Sequence, residues 1–343
     1  MTDATTHAAD GATDATTGAA GELPPGVPLA LDATDITVSF PGKGRTTRTV
    51  VDGIGIGLER SQVTVLLGES GSGKTVFARS ITGMAPHGAR LTGSSLFDGR
   101  DLLTAPKPVL RGLHGSRIGS VPQDPNASLD PMRRIGSQIV ETVLQHRTVP
   151  NRRAATKRAI ELLDLVEIRE PERVFRLYPH EVSGGMRQRI AIAIAVSCDP
   201  ELIVADEPSS ALDASVGVRI VELLDELRTR LGTAILFITH DIGIAARVAS
   251  AENDRVAVML SGRIVELGRA SSVLSHPLHP YTQALIAAEP SADVPRGRLA
   301  VVSDELRARR EWGPLVEVEP GHAVSSDVLA GDTLTPTLEG STR

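Results

Sequence analysis

The chain is poor in cysteine, in aromatic rings, in lysine and in long apolar runs, and each shortage excludes something. Cys198 is the only cysteine among 343 residues, so an intrachain disulfide framework and a thiolate cluster for zinc or iron–sulfur are both ruled out. That fits a reducing compartment. Eight aromatics (one Trp, two Tyr, five Phe) leave little material for base stacking. The longest apolar run, Ile190–Val196, falls far short of the roughly 18 residues needed to cross a bilayer, so any crossing falls to other chains. The opening MTDATTHAADGATDATTGAAG lacks the basic start and apolar stretch of a secretory signal. Residues 1–42 carry six acids and no Lys or Arg, while the other 301 residues hold 36 acidic and 36 basic side chains. The net charge of −6 therefore belongs to the first segment, and the neutral body argues against a nucleic-acid partner. Lysine is scarce (Lys43, Lys74, Lys107 and Lys157 against 32 arginines), so a lysine inside a motif carries weight.

What is present is a 41% hydrophobic content, ample for a buried core. Residues 1–28, rich in Ala, Thr, Asp and Gly and ending in Pro-Pro-Gly-Val-Pro, read as a disordered tail. Alternation over 34–40 and the stretch 49–58 predict two strands, and Val63–Leu67 a short buried one, followed by a helix from Gly73. From about 125 to 180 the apolar spacing turns helical, within a subdomain expected over about 125–197. In Asn151–Ile168, Ala155, Ala159, Leu162, Leu163 and Val166 form one stripe opposite Arg152, Arg153, Lys157 and Arg158. This predicts a helical subdomain inserted in an α/β core. Beyond it come a helix over 184–197, a strand at Leu202–Ala205, a helix near 213–231, a strand at Ala234–Thr239 and a helix at 241–249. A hairpin is expected across Ser261-Gly262. The pattern weakens beyond 290, and 325–343 read as a loose tail.

Gly68-Glu69-Ser70-Gly71-Ser72-Gly73-Lys74-Thr75 fits G-x-x-x-x-G-K-[ST], set between a predicted strand and a predicted helix. Its glycines let backbone N–H groups converge on phosphate oxygens at a positive helix end. Lys74 would neutralise β/γ-phosphate charge and the Thr75 hydroxyl would ligate Mg²⁺. Leu202–Glu207 is an apolar run closed by two acids. Asp206 is the candidate to hold Mg²⁺ through water and Glu207 to orient or deprotonate the attacking water, although a solvated strand end has the same appearance.

Val182-Ser183-Gly184-Gly185-Met186-Arg187-Gln188-Arg189 resembles the LSGGQ signature of ATP-binding-cassette (ABC) ATPases. Other landmarks resemble that family in the same order: Gln123 the Q-loop, Ser210-Ala211-Leu212-Asp213 the D-loop, His240 the switch histidine, and Phe40 the aromatic that stacks on adenine. Gln123–Pro131 is similar to the QDPxxSLNP segment of oligopeptide/dipeptide/nickel importer ATPases, and His279–Leu285 to their HPYTxxL element. The resemblance covers roughly residues 32–290, with a weaker echo at Pro314–Val324. Departures are Val182 for Leu, Met186 for the signature Gln, Ser209-Ser210 for a Thr-containing pair, and the lack of a cysteine-rich C-terminal element.

The resemblance implies an α/β P-loop NTPase core (29–290) with an N-terminal antiparallel β subdomain and the inserted helical one, then an extension (291–324). It implies ATP and Mg²⁺ as ligands, with catalysis by Glu207, His240 and Gln123 and metal contacts from Thr75, Gln123 and Asp206. ATP would lie between Phe40 and residues 68–75 of one cassette and Ser183, Gly184, Gly185, Met186 and Asp213 of a second. It further implies two transmembrane permease subunits, an extracytoplasmic solute-binding protein and a peripheral place on the cytoplasmic face of the membrane. Peptides lead as the imported solute, with nickel or metal chelates behind. Rival readings are a weakly hydrolysing regulatory cassette in a heterodimer, and a soluble ABC ATPase of DNA repair or translation.

Overall fold

A computed structural model describes residues 29–42, 46–288, 306, 309 and 312–329. The expected tail over 1–28 lies outside them. Two sheets share the α/β body. The first is antiparallel, in the order β2 (Thr47–Glu59), β1 (Leu29–Pro41), β4 (Arg90–Phe97), β5 (Arg100–Asp101). The second has eight strands. Its parallel part runs β9 (Arg255–Leu260), β3 (Val63–Leu67), β8 (Ala234–Thr239), β7 (Leu202–Asp206), β6 (Ile118–Val121). Beyond β9 it turns antiparallel through β10 (Arg263–Arg269), β12 (His322–Ser325) and β11 (Leu315–Glu319).

The central strands read as unbroken apolar runs because both faces are covered. On β8, Ile235 and Phe237 enter the core shared with the helical region, while Ala234, Leu236 and Ile238 enter the core beneath the antiparallel sheet. The β9–β10 hairpin turns on Ser261 and Gly262, both at positive φ (48° and 89°), the backbone of the expected tight turn.

Ten α-helices lie between Lys74 and Ala287. α1 (Lys74–Ile81) packs under the antiparallel sheet through Phe77, Ala78 and Ile81. α2 (Lys107–Leu113) precedes β6. The inserted helices are α3 (Ile135–Gln145), α4 (Arg152–Leu165), α5 (Pro171–Val174) and α6 (Gly184–Ala195). Asn151 caps α4, its side chain accepting the Ala154 N–H, and Ala155, Ala159, Leu162 and Leu163 are its buried stripe. Then come α7 (Ala214–Leu231), α8 (Ile242–Val248), α9 (Ala270–Ser275) and α10 (Pro280–Ala287).

The C-terminal boundary differs from expectation. A loose tail was expected from 325, but Ser325 is buried at the end of β12, its hydroxyl donating to the Gly313 carbonyl at 3.2 Å, and Ser326–Leu329 form a helical turn. A four-residue strand paired to a five-residue partner leaves too short a periodic signal to read from sequence. Residues 330–343 lie outside the described chain. Among the described residues, no helix is long and apolar enough to cross a membrane.

Candidate active site

Four neighbouring parallel strands deliver their C-terminal ends to one edge of the sheet, the place where open α/β sheets bind ligands. Residues 68–75 follow β3, His240 follows β8, Asp206 and Glu207 close β7, and Gln123 follows β6. Side chains up to 131 positions apart in sequence thus meet.

The loop 68–75 needs its glycines sterically. Gly73, the residue before α1, has φ +105°, and a Cβ there would stand 2.9 Å from the Val50 carbonyl oxygen. A Cβ on Gly68 would come to 2.2 Å from the Met259 carbonyl oxygen. Lys74 is buried and donates to the carbonyls of Gly68 (2.6 Å) and Glu69 (2.8 Å). Burial pulls its pKa below the usual lysine value, opposed by the charges of Glu207, Asp206 and Glu69. The Ser72 hydroxyl, within the loop, is buried without a hydrogen-bond partner.

The Thr75 hydroxyl donates to Asp206 Oδ1 at 3.0 Å. Burial raises the Asp206 carboxyl above its ordinary value, opposed by the Thr75 hydrogen bond and the Arg79 charge. Among the described residues no cluster of three or more His, Cys, Asp or Glu is arranged to hold a metal. The pair of hard oxygens at Thr75 and Asp206 nevertheless fits Mg²⁺, which takes few protein ligands and fills its shell with phosphate and water.

Glu207 is the hub. Gln123 Nε2 donates to its Oε2 at 3.1 Å, and His240 Nδ1 lies 3.0 Å from its Oε1. Its backbone is left-handed (φ +45°), uncommon for a glutamate, and is pinned by its own N–H to the Ile238 carbonyl (3.0 Å) and by the Ser210 hydroxyl to its carbonyl (3.0 Å).

The signature residues are not brought to this cluster. Ser183 caps α6, its hydroxyl accepting the Met186 N–H at 3.3 Å. Ser183, Gly184, Gly185 and Met186 line an open concavity of about 1240 Å³ shared with Asp213 at the head of α7. None of its lining residues comes from 68–75. Phe40 sits half-buried near the end of β1, packed on the core beneath the antiparallel sheet and paired with Arg48, two residues from the Val50 that abuts Gly73.

Two participants escaped the sequence reading. Gln188 is buried in α6 and donates to the Pro122 carbonyl (3.2 Å), beside Gln123. Tyr281 is wholly buried, and its hydroxyl accepts the Glu69 N–H at 3.0 Å. Each is a single polar group on a helix, a signal whose partner only the tertiary fold supplies.

A P-loop, a strand-end acid pair, a Gln–Glu–His cluster and a serine-capped glycine helix that lines a separate concavity together define an ABC-type ATPase. Comparison with known proteins agrees. The family described as "ABC transporter" matches residues 51–210, and that described as "Oligopeptide/dipeptide transporter, C-terminal region" matches 265–313. The chain is 40% identical over 265 residues to the Oligopeptide transport ATP-binding protein OppD of Bacillus subtilis, covering 77% of this chain and 72% of that one. It is 44% identical to the Peptidoglycan transport ATP-binding protein YejF of Agrobacterium fabrum, over 77% of this chain but 48% of that protein's length. Among solved structures, the dimeric post-hydrolysis state of the ATP-binding cassette MJ0796 bound to ADP and Pi superposes with TM-score 0.61 at 25% identity, over 70% of this chain and 98% of that one. The chain belongs to the ABC transporter family, among its oligopeptide/dipeptide-type ATP-binding subunits.

Proposed function

We propose that this ATPase works as one of two cassettes that sandwich ATP and power the import of peptides. The observation that carries the paired arrangement is the separation of the two half-sites. The Ser183–Asp213 concavity is lined by none of residues 68–75, Gln123, Glu207 or His240, so a complete site takes one half from each of two chains.

Within a site, the backbone amides of 70–75 and the Lys74 ammonium bind the β- and γ-phosphates, and the Ser72 hydroxyl is free to donate to a phosphate oxygen. Thr75 and Asp206 would hold Mg²⁺, which when bound neutralises charge on the β- and γ-oxygens. Glu207 is the general base for the attacking water. His240 and Gln123, one on each carboxylate oxygen, fix its orientation, and Gln123 is the further candidate ligand for the metal. Across the interface, Ser183 and the amides of Gly184 and Gly185 present a helix N-terminus to the γ-phosphate, the Met186 N–H is held by the Ser183 hydroxyl, and Asp213 closes the rim. Phe40 stacks on the adenine. Met186 carries no signature amide, yet its backbone N–H is in place at the cap.

The partners of this reading are a second cassette, two permease subunits and an extracytoplasmic solute-binding protein, with the chain peripheral on the cytoplasmic face. The peptide assignment rests on the match at 265–313 and on the OppD likeness. The test is ATP hydrolysis by the chain alone and with its permeases and binding protein in vesicles. Low activity alone and several-fold stimulation by short peptides are expected. Stimulation by nickel or a metal chelate, with none by peptides, would overturn the substrate class.

A further inference from the structure

The HPY segment looks from sequence like a proline turn that starts a helix, but its tyrosine reaches the nucleotide loop. Tyr281 Oη accepts the Glu69 N–H across 212 positions of sequence, from a wholly buried ring. The corner that aims the ring is itself clamped. His279 caps α10, its Nδ1 accepting the Tyr281 N–H at 3.0 Å. The buried Glu266 carboxylate of β10 accepts the N–H of Leu278 (2.8 Å) and of His279 (3.0 Å). The same carboxylate bonds His322 Nε2 of β12 at 2.8 Å. The Trp312 ring meets the His279 ring edge-on at 4.8 Å between centroids. Burial lowers the His279 pKa to about 4, so its ring is neutral at pH 7 and free to accept. A continuous chain of contacts therefore runs from the terminal strand pair, through Glu266 and the 278–281 corner, to the second residue of the phosphate loop.

We propose that Tyr281 is a positioning residue for ATP: it holds the Glu69 peptide in the cradle conformation, and the C-terminal strands set its aim. The Glu69 carbonyl is already taken by Lys74, so the tyrosine fixes the residue from its other side. Without that hydroxyl the Glu69 N–H loses this hydrogen bond and the loop spreads over other conformers. Nucleotide must then select the competent one, and apparent affinity falls by the competent fraction. Once nucleotide is bound the loop is formed, and chemistry proceeds as before. This rests on residues 68–75 being the nucleotide site proposed above.

The experiment is ADP binding, with Mg²⁺, to the full-length Tyr281→Phe chain, together with ATP kinetics in the assembled transporter. Expected are a Kd and a KM raised about 3- to 10-fold, the range one such hydrogen bond confers, with kcat at saturating ATP within about twofold. A merely structural role would lower the melting temperature and the active fraction, and hence kcat, with KM unmoved. Kd and KM both within about 1.5-fold of wild type overturn the proposal. Lys74→Ala serves as the reference arm. If it binds ADP like wild type, the site assignment itself fails; if it loses ADP while Tyr281→Phe does not weaken, only the tyrosine's role fails. Should Tyr281→Phe not fold, amide exchange on the unaltered chain without nucleotide decides: a Glu69 N–H protected well beyond that of exposed Ser70 supports the proposal, and exchange at the unprotected rate refutes it.

Discussion

Replacing Glu207 with glutamine tests the site at its hub. The side chain keeps its length and volume, so the left-handed turn and its pins to Ile238 and Ser210 stay in place. Of the carboxylate's two contacts, to Gln123 Nε2 and His240 Nδ1, the introduced amide keeps both only if its oxygen faces Gln123 and its NH₂ donates to a His240 ring nitrogen in the acceptor tautomer. Geometry is thus nearly retained and basicity is lost. General-base catalysis contributes about 10²–10⁴-fold, so the barrier should rise by about 3–5 kcal/mol. One negative charge also leaves the neighbourhood of Lys74, so nucleotide affinity holds or increases. Phosphate release by the assembled transporter and nucleotide binding by the same preparation are the two readouts. Hydrolysis within about threefold of wild type would refute the assignment of Glu207 as base. Loss of nucleotide binding would make it a structural post instead.

Ser183→Ala removes the cap of α6 and should cost about 1 kcal/mol of stability in denaturant melts. It should also depress hydrolysis by the assembled pair, while ADP binding to the chain's own phosphate loop persists, because the two faces are separate. Gly136→Ala would place a Cβ 2.2 Å from the Phe175 ring, forcing the ring out of its seat. A loss of about 1–3 kcal/mol is expected from urea melts, and an unchanged midpoint would contradict the packing. Glu201 joins Arg60 of β2's end to Arg117 ahead of β6, and the Arg117 hydrogen bond holds its carboxyl below the ordinary glutamate value. The stabilisation is therefore present at neutral pH and is lost as pH falls through and below the carboxylate range. Glu201→Gln should be less stable than wild type by about 1 kcal/mol or less at pH 7, these groups being partly exposed, and the gap should close on acidification. A gap that widens in acid would reverse the sign.

Much of the site was legible in the sequence because its signals are local. Gly68–Thr75 needs positive-φ glycines at fixed spacing, Ser183 is a helix cap, and Asp206-Glu207 closes an apolar strand. The doubly buried strands β3, β7 and β8 announced themselves as short apolar runs for the same reason. Strands β4, β5 and β6 and helix α2 were among the elements that went unread. RLTGSSLF is mostly small and polar, with Gly93 in the left-handed region, so its register comes from pairing with β1 rather than from its own alternation. Tyr281 and Gln188 were invisible as site residues, since a hydroxyl or amide on a helix points to no partner until the fold brings one within 3.2 Å.

The Gln188–Pro122 hydrogen bond makes the signature helix and the Gln123 loop parts of one lever. The 12 residues of α6 span roughly 18 Å at about 1.5 Å per residue. A tilt of about 10° pivoting at its Ala195 end carries the Ser183 end by roughly 3 Å and the Gln188 turn by roughly 2 Å. Two ångströms exceed the tolerance of the Gln123–Glu207 contact, while His240, carried on β8, does not travel with α6. In the paired arrangement proposed above, one small rocking of α6 would withdraw the serine cap from the opposing cassette and, in the same stroke, take one of the two hands off its own glutamate.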